Sequence, residues 1–340
     1  SEGVFFHAFI NFKDTGKVGV YLFFVLSAYL LDRQIALAFM TGKSSVQYWK
    51  NYFLRRFLRI YPLFFIALVL HGILTLTGIP TVIDERSDIP MHMLLMRGES
   101  IFWSIPVEFK YYFISPVIMW VCHKYLKWDK VKLLVLFCSL IVIAIASEFI
   151  FHLSTLSTFR YFPIFLVGTL ISIYELLFKD ELRRIMSPRI FNILGLLAFA
   201  AIFLAIPFYF KRIFGFSIYF NSPSFYLPYA LAWGVILLAA KYGRGLVKGI
   251  LEFKFLRFIG TISFSVYLFH MLFLNWIVQI SIYPQLKIFI FFLLTILFSS
   301  ISYFFIERPL SKIKIYSKKI IEDDINKSHN IKISGAIKKV

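Results

Sequence analysis

Apolar runs of about 20 residues, separated by short polar stretches, fill most of this chain, and that is the length a helix needs to cross a bilayer. They fall near 18–39, 61–79, 102–121, 133–152, 159–178, 190–208, 224–240, 263–282 and 286–306. Asp32 and Arg33 interrupt the second half of the first run. Residues 4–12, "VFFHAFINF", read as the tail of a further span that begins before Ser1. The pattern predicts an all-α, polytopic membrane protein with about ten transmembrane helices, the first of them truncated.

Charge then orients the spans. Residues 41–60 hold Lys43, Lys50, Arg55, Arg56 and Arg59 and no acid. The stretches 122–132, 179–189, 241–257 and the tail from 307 are also rich in Lys and Arg, whereas 80–101 is acidic on balance and 153–158 is uncharged. The positive-inside rule assigns the basic side to the cytoplasm, with the C-terminus there. The formal net charge of +19 therefore reads as span flanks and excludes a nucleic-acid reading. A composition of 59% hydrophobic and 20% aromatic residues agrees with a membrane class. Cys122 and Cys138 imply no disulfide framework and read as buried fillers. Residues 1–310 form one membrane domain. Residues 311–340 form a basic cytoplasmic tail, disordered or lying on anionic headgroups.

Ionisable residues inside spans are costly and so are functional candidates. Here they include His7, His71, Glu108, Lys110, His152, Arg160 and His270. Glu108, in "IFWSIPVEFKYYF", lies about six residues inside the outer end of its span, roughly 9 Å deep. His7 lies at a similar depth, and Arg160 is close to the same side. The three could share an outward-opening pocket in which the imidazole takes a hydroxyl proton, the carboxylate orients it and the guanidinium offsets negative charge. A polar network that packs helices together is the competing reading. Arg55 and Arg59 share a helix face bordered by Arg56; this is either a positive-inside anchor or a phosphate site.

Several of these segments, in order, resemble acyltransferase family 3, the integral membrane O-acyltransferases of bacterial surface glycans. "GVYLFFVLSAYLL" (19–31), "RRFLRIYP" (55–62), "WSIPVEFKYYF" (103–113), "RYFPIFLVGTL" (160–170), "SFSVYLFH" (263–270) and "SYFFIERPL" (302–310) are similar to its motifs. The resemblance implies a catalytic histidine at His7, with Glu108 as its orienting partner. A family arginine about eleven residues earlier falls before Ser1. Tyr21, Ala28 and Lys110 depart from the family pattern. The resemblance further implies Arg55, Arg56, Arg59, Tyr267 and His270 around the donor acetyl-CoA, or another acyl-CoA, and Trp103, Ser104 and Arg160 toward the acceptor. No metal is expected. The implied reaction moves an acyl group, acetyl in most members, from cytoplasmic acyl-CoA to a hydroxyl of an extracytoplasmic or lipid-linked glycan such as O-antigen, capsule or exopolysaccharide. The implied place is the bacterial inner membrane. A transporter or flippase of a lipid-linked glycan, or an inactive family member, are the alternatives.

Overall fold

The computed structural model describes residues 15–76, 81–83, 86–216 and 223–313. Its labelled helices are α1 (Thr15–Met40), α2 (Val46–Leu76), α3 (Ser104–Lys124), α4 (Lys130–Phe151), α5 (Phe162–Ile185), α6 (Pro188–Leu204), α7 (Pro207–Phe214), α8 (Tyr226–Tyr242), α9 (Leu246–Glu252), α10 (Lys254–Thr261), α11 (Ser263–Val278) and α12 (Pro284–Ser302). The described residues contain no strand. The chain is the expected all-α, multi-pass membrane protein. Among the described residues, 5 helices are long and apolar enough to cross a membrane, or up to 7 if two bent pairs each count as one span. Helices α3 and α6 stand where two more spans are expected; α3 carries Glu108, Lys110 and Lys124, and α6 has only 17 residues.

The basic run 41–60 is not a loop. Helix α2 starts at Val46 and continues through Pro62 for 31 residues, about 46 Å. That exceeds the roughly 30 Å of bilayer hydrocarbon, so its arginines ride on a helix that enters the bundle.

The helices pack in two groups. In the larger, α1 lies against α3, α5 and α8, with α4 and α6 outside. In the smaller, α11 packs on α12 and touches α2. The α1–α5 contact is close because position 168 has no side chain. A Cβ there would lie 2.3 Å from the Val25 carbonyl oxygen and 3.1 Å from the Ala28 Cβ. Small residues permit such backbone approach within membranes. Asp32, the interruption in the first apolar run, is fully buried at this junction. Its carboxylate accepts hydrogen bonds from Tyr111 (2.7 Å), Ser115 and Thr169, which ties α1 to α3 and α5.

Two connections are not simple loops. Residues 86–103 fold back between α2 and α11: Tyr61 donates to the Met93 carbonyl (3.0 Å), and Phe64 and His71 pack edge-on against Phe102. Between α8 and α11 the chain turns by 87° into α9, and by 77° from α10 into α11. Gly245 makes the first turn at φ +135°, a conformation that glycine adopts at little cost. Asn192 then caps α9 by accepting from the Val247 amide (3.1 Å). Cys122 is buried as expected, but Cys138 is exposed on α4 because that helix faces outward from the bundle.

Candidate functional site

The seam between the two helix groups gathers charged and hydroxyl side chains inside otherwise apolar helices. Glu108 Oε1 accepts from the Ser27 hydroxyl of α1 (2.6 Å) and from the Tyr112 hydroxyl one turn along α3 (2.7 Å). Oε2 takes no hydrogen bond among the described residues. Tyr112 also faces α2: the Arg56 guanidinium lies 5.9 Å from its ring centre and 5.8 Å from that of Tyr52. The Tyr52 hydroxyl fixes the same place by donating to the Tyr112 carbonyl (2.9 Å).

Arg59 is exposed, although it lies well inside α2. Its electrostatic neighbours are Tyr112, Glu108 and Glu307, and it makes no ion pair within 4.0 Å among the described residues. The cation is accessible while Tyr112 beside it is buried. Glu307 reaches it from a π-helical turn, Tyr303–Glu307, that comes after α12. Single π turns inside helices are frequent at functional sites because they re-aim side chains. The Glu307 carboxylate accepts from Ser265 of α11.

The sequence separated Glu108, near the outer side, from the arginines, near the inner side. The structure joins them through Tyr112. Depth along separate spans was misleading because α2 extends the arginines into the bundle. Arg56 also donates to Gln34 Oε1 (3.3 Å), while Arg55 is exposed and bonds back to the Asn51 carbonyl (3.2 Å).

Tyr267 stands beside this cluster. Its hydroxyl donates to the Ile101 carbonyl and meets the Ser104 hydroxyl at 2.8 Å. His270 lies one turn on, with Nδ1 2.8 Å from the Tyr267 carbonyl and 3.2 Å from that of Val266. His7 lies outside the described residues.

The sequence profile of the acyltransferase domain of acyltransferase family 3 matches residues 2–306. The chain belongs to that family. A curated relative, the peptidoglycan O-acetyltransferase OatA of Listeria monocytogenes, is 24% identical over 90% of this chain and 53% of its own length. The chain thus spans about half the length of that relative. No solved structure matches the chain.

Other residues predicted for this acyltransferase-family site are held elsewhere. Arg160 donates to the Leu153 carbonyl (2.7 Å) and the Tyr226 hydroxyl (3.3 Å) and pairs with Glu148 (3.3 Å). It ties α4 to α8; its contacts do not include Glu108. Trp103 is buried against Phe24 and Tyr161, with ring centres 5.7 and 4.8 Å away, so its surface is taken by packing. Ser104 is buried and serves Tyr267. Lys110 donates to the Leu156 carbonyl (3.2 Å), which explains an ammonium two residues from Glu108: it holds the 152–157 loop.

Sequence reasoning assigned no role to Ser27, Tyr112, Ser265 or Glu307. All lie within or beside the quoted motifs, but a hydroxyl in an apolar run carries no charge signal. Glu307 adjoins Arg308 and reads as a span flank.

Proposed function

We propose that the chain is a membrane O-acyltransferase of the bacterial inner membrane, with its basic loops and C-terminus cytoplasmic. It moves an acetyl group from acetyl-CoA to a hydroxyl of a glycan on the outer side or on a lipid carrier. The observation that carries this reading is the seam itself: Glu108, Tyr112 and Arg59 converge between apolar helices of a chain whose family is defined by acyl transfer.

His7 takes the proton of the acceptor hydroxyl as the oxygen attacks the thioester carbonyl. The carbon–sulfur bond then breaks, and the coenzyme A thiolate leaves and is protonated. Glu108 orients the imidazole and stabilises the imidazolium. Arg59, whose guanidinium is exposed, holds phosphate oxygens of the donor, with Arg56 beside it. Tyr267 and His270 border the donor path. The O-acetyltransferase name of the Listeria relative supports a glycan acceptor and an acetyl group.

The test uses proteoliposomes given labelled acetyl-CoA and host glycan. Wild type transfers label and His7→Ala does not. Equal transfer by the two removes the role of His7, and substrate flux without transfer replaces the reading with transport.

A further inference from the structure

The right-angle elbow of α9 and α10 is not used by the chemistry above. The helices on either side, α8 and α11, have the apolar character of spans, and the chain bends from them by 87° and 77°. Two short helices thus form a sharp break between the flanking apolar helices.

None of α10 is buried in protein. Phe253, Phe255 and Leu256 are 60%, 53% and 41% exposed and leave an apolar surface uncovered by protein. The elbow also borders a shallow, open groove of ≈ 430 Å³ lined by Gly245, Leu246, Gly249, Ile250, Phe253 and Leu256. That lies within the range of small-molecule sites, about 300–1,000 Å³. Position 249 has open space where a Cβ would stand, so the groove's glycine leaves room for a guest.

The charges beside the groove select the guest. Lys248 is matched by Glu252 at 3.7 Å. Arg244, Lys254 and Arg257 are exposed and have no side-chain hydrogen bond or ion pair among the described residues. An apolar slot flanked by unmatched cations complements a molecule with an apolar chain and an anionic head.

We propose that the α9–α10 elbow binds an anionic phospholipid of the bilayer, with an acyl chain in the groove and the headgroup phosphate against Arg244, Lys254 and Arg257. The site is independent of the acyl-transfer reading and stands or falls separately.

The test is native mass spectrometry of the full chain in detergent, titrated with short-chain phosphatidylglycerol or phosphatidylcholine. Wild type retains the first at lower concentration than the second. The triple variant R244Q/K254Q/R257Q weakens phosphatidylglycerol retention by roughly five-fold for each charge removed. Gly249→Leu, which fills the groove, weakens retention of both lipids. Equal retention of the two lipids by wild type, a measurement that needs no variant, overturns the proposal. So does unchanged phosphatidylglycerol retention in a folded triple variant or in Gly249→Leu. Displacement of the lipid by coenzyme A also overturns it, assigning the groove to the donor instead.

Discussion

Tyr112 brings one hydroxyl into the seam, and Glu108 is its acceptor. Because its ring also faces Arg56, Tyr112→Phe keeps the packing and removes only the hydrogen bond. A hydrogen bond to a charged group contributes about 1.5–3 kcal/mol, so turnover should fall about ten-fold or more with the donor KM little changed. Glu108→Gln should cost about 10²–10⁴ in turnover, the usual size of an acid–base contribution. Steady-state kinetics in proteoliposomes check both; normal turnover in Glu108→Gln would remove the carboxylate from the mechanism. Arg59→Gln should instead raise the donor KM, by about ten-fold, with a smaller change in turnover. An unchanged KM would separate Arg59 from the donor. Glu108 was legible because a carboxylate in an aromatic run has no cheap explanation. Ser27 was not, because a serine in an apolar helix is ordinary and only the fold shows what it faces.

Among the elements, the α1–α5 contact and the fold-back 86–103 each make a prediction. Gly168→Val would push a side chain into the Val25 carbonyl, which belongs to rigid backbone. Overpacking of this kind costs about 1–3 kcal/mol and should lower the thermal unfolding midpoint in detergent, with Gly168→Ala intermediate. An unchanged midpoint for both would mean that the helices separate at no cost. In the fold-back, His92 is buried beside Phe102, with Nε2 3.5 Å from Glu99. Burial pushes its pKa below the ordinary value, while Glu99 and Asp88 pull the other way and do not prevail. Above about pH 6.5 the ring is neutral in both folded and unfolded chains and contributes no pH dependence. As pH falls through that value the unfolded chain takes the proton first, so stability is lost on acidification. His92→Phe should flatten the midpoint between pH 7 and 5, and a parallel slope in the two proteins would acquit His92. The long spans were legible because a run of apolar residues has one reading. The fold-back and the α9–α10 elbow were not, since mixed polar and apolar stretches read equally well as loops.

For the whole molecule, alternating loop charge predicts which connections face outward. Thr155→Cys should react with a membrane-impermeant maleimide added to intact cells, and Lys127→Cys should react only after permeabilisation. The native thiols give a low background: Cys122 is buried, and Cys138 is on the outward face of α4 within a span, away from the aqueous reagent. The reverse labelling pattern would invert the molecule and place the tail outside. At this scale the sequence speaks through loop charge, because the cost of moving arginines and lysines across a bilayer acts on the chain whatever its helices touch.

The π turn at Tyr303–Glu307 makes chain length itself a functional variable. Such a turn holds one residue more than a regular helix needs. Phe305 within it is 77% exposed and could be cut out without opening the core. Its deletion would let the helix run regularly, keep the turns on either side in register and re-aim only the residues of the turn itself. Glu307 would leave Ser265 and Arg59, though every other side chain of the seam would be unchanged. Homologous chains should therefore tolerate varied residues at 303–306 far better than a single-residue gap there. An alignment in which such gaps are common would show that this turn is ornamental.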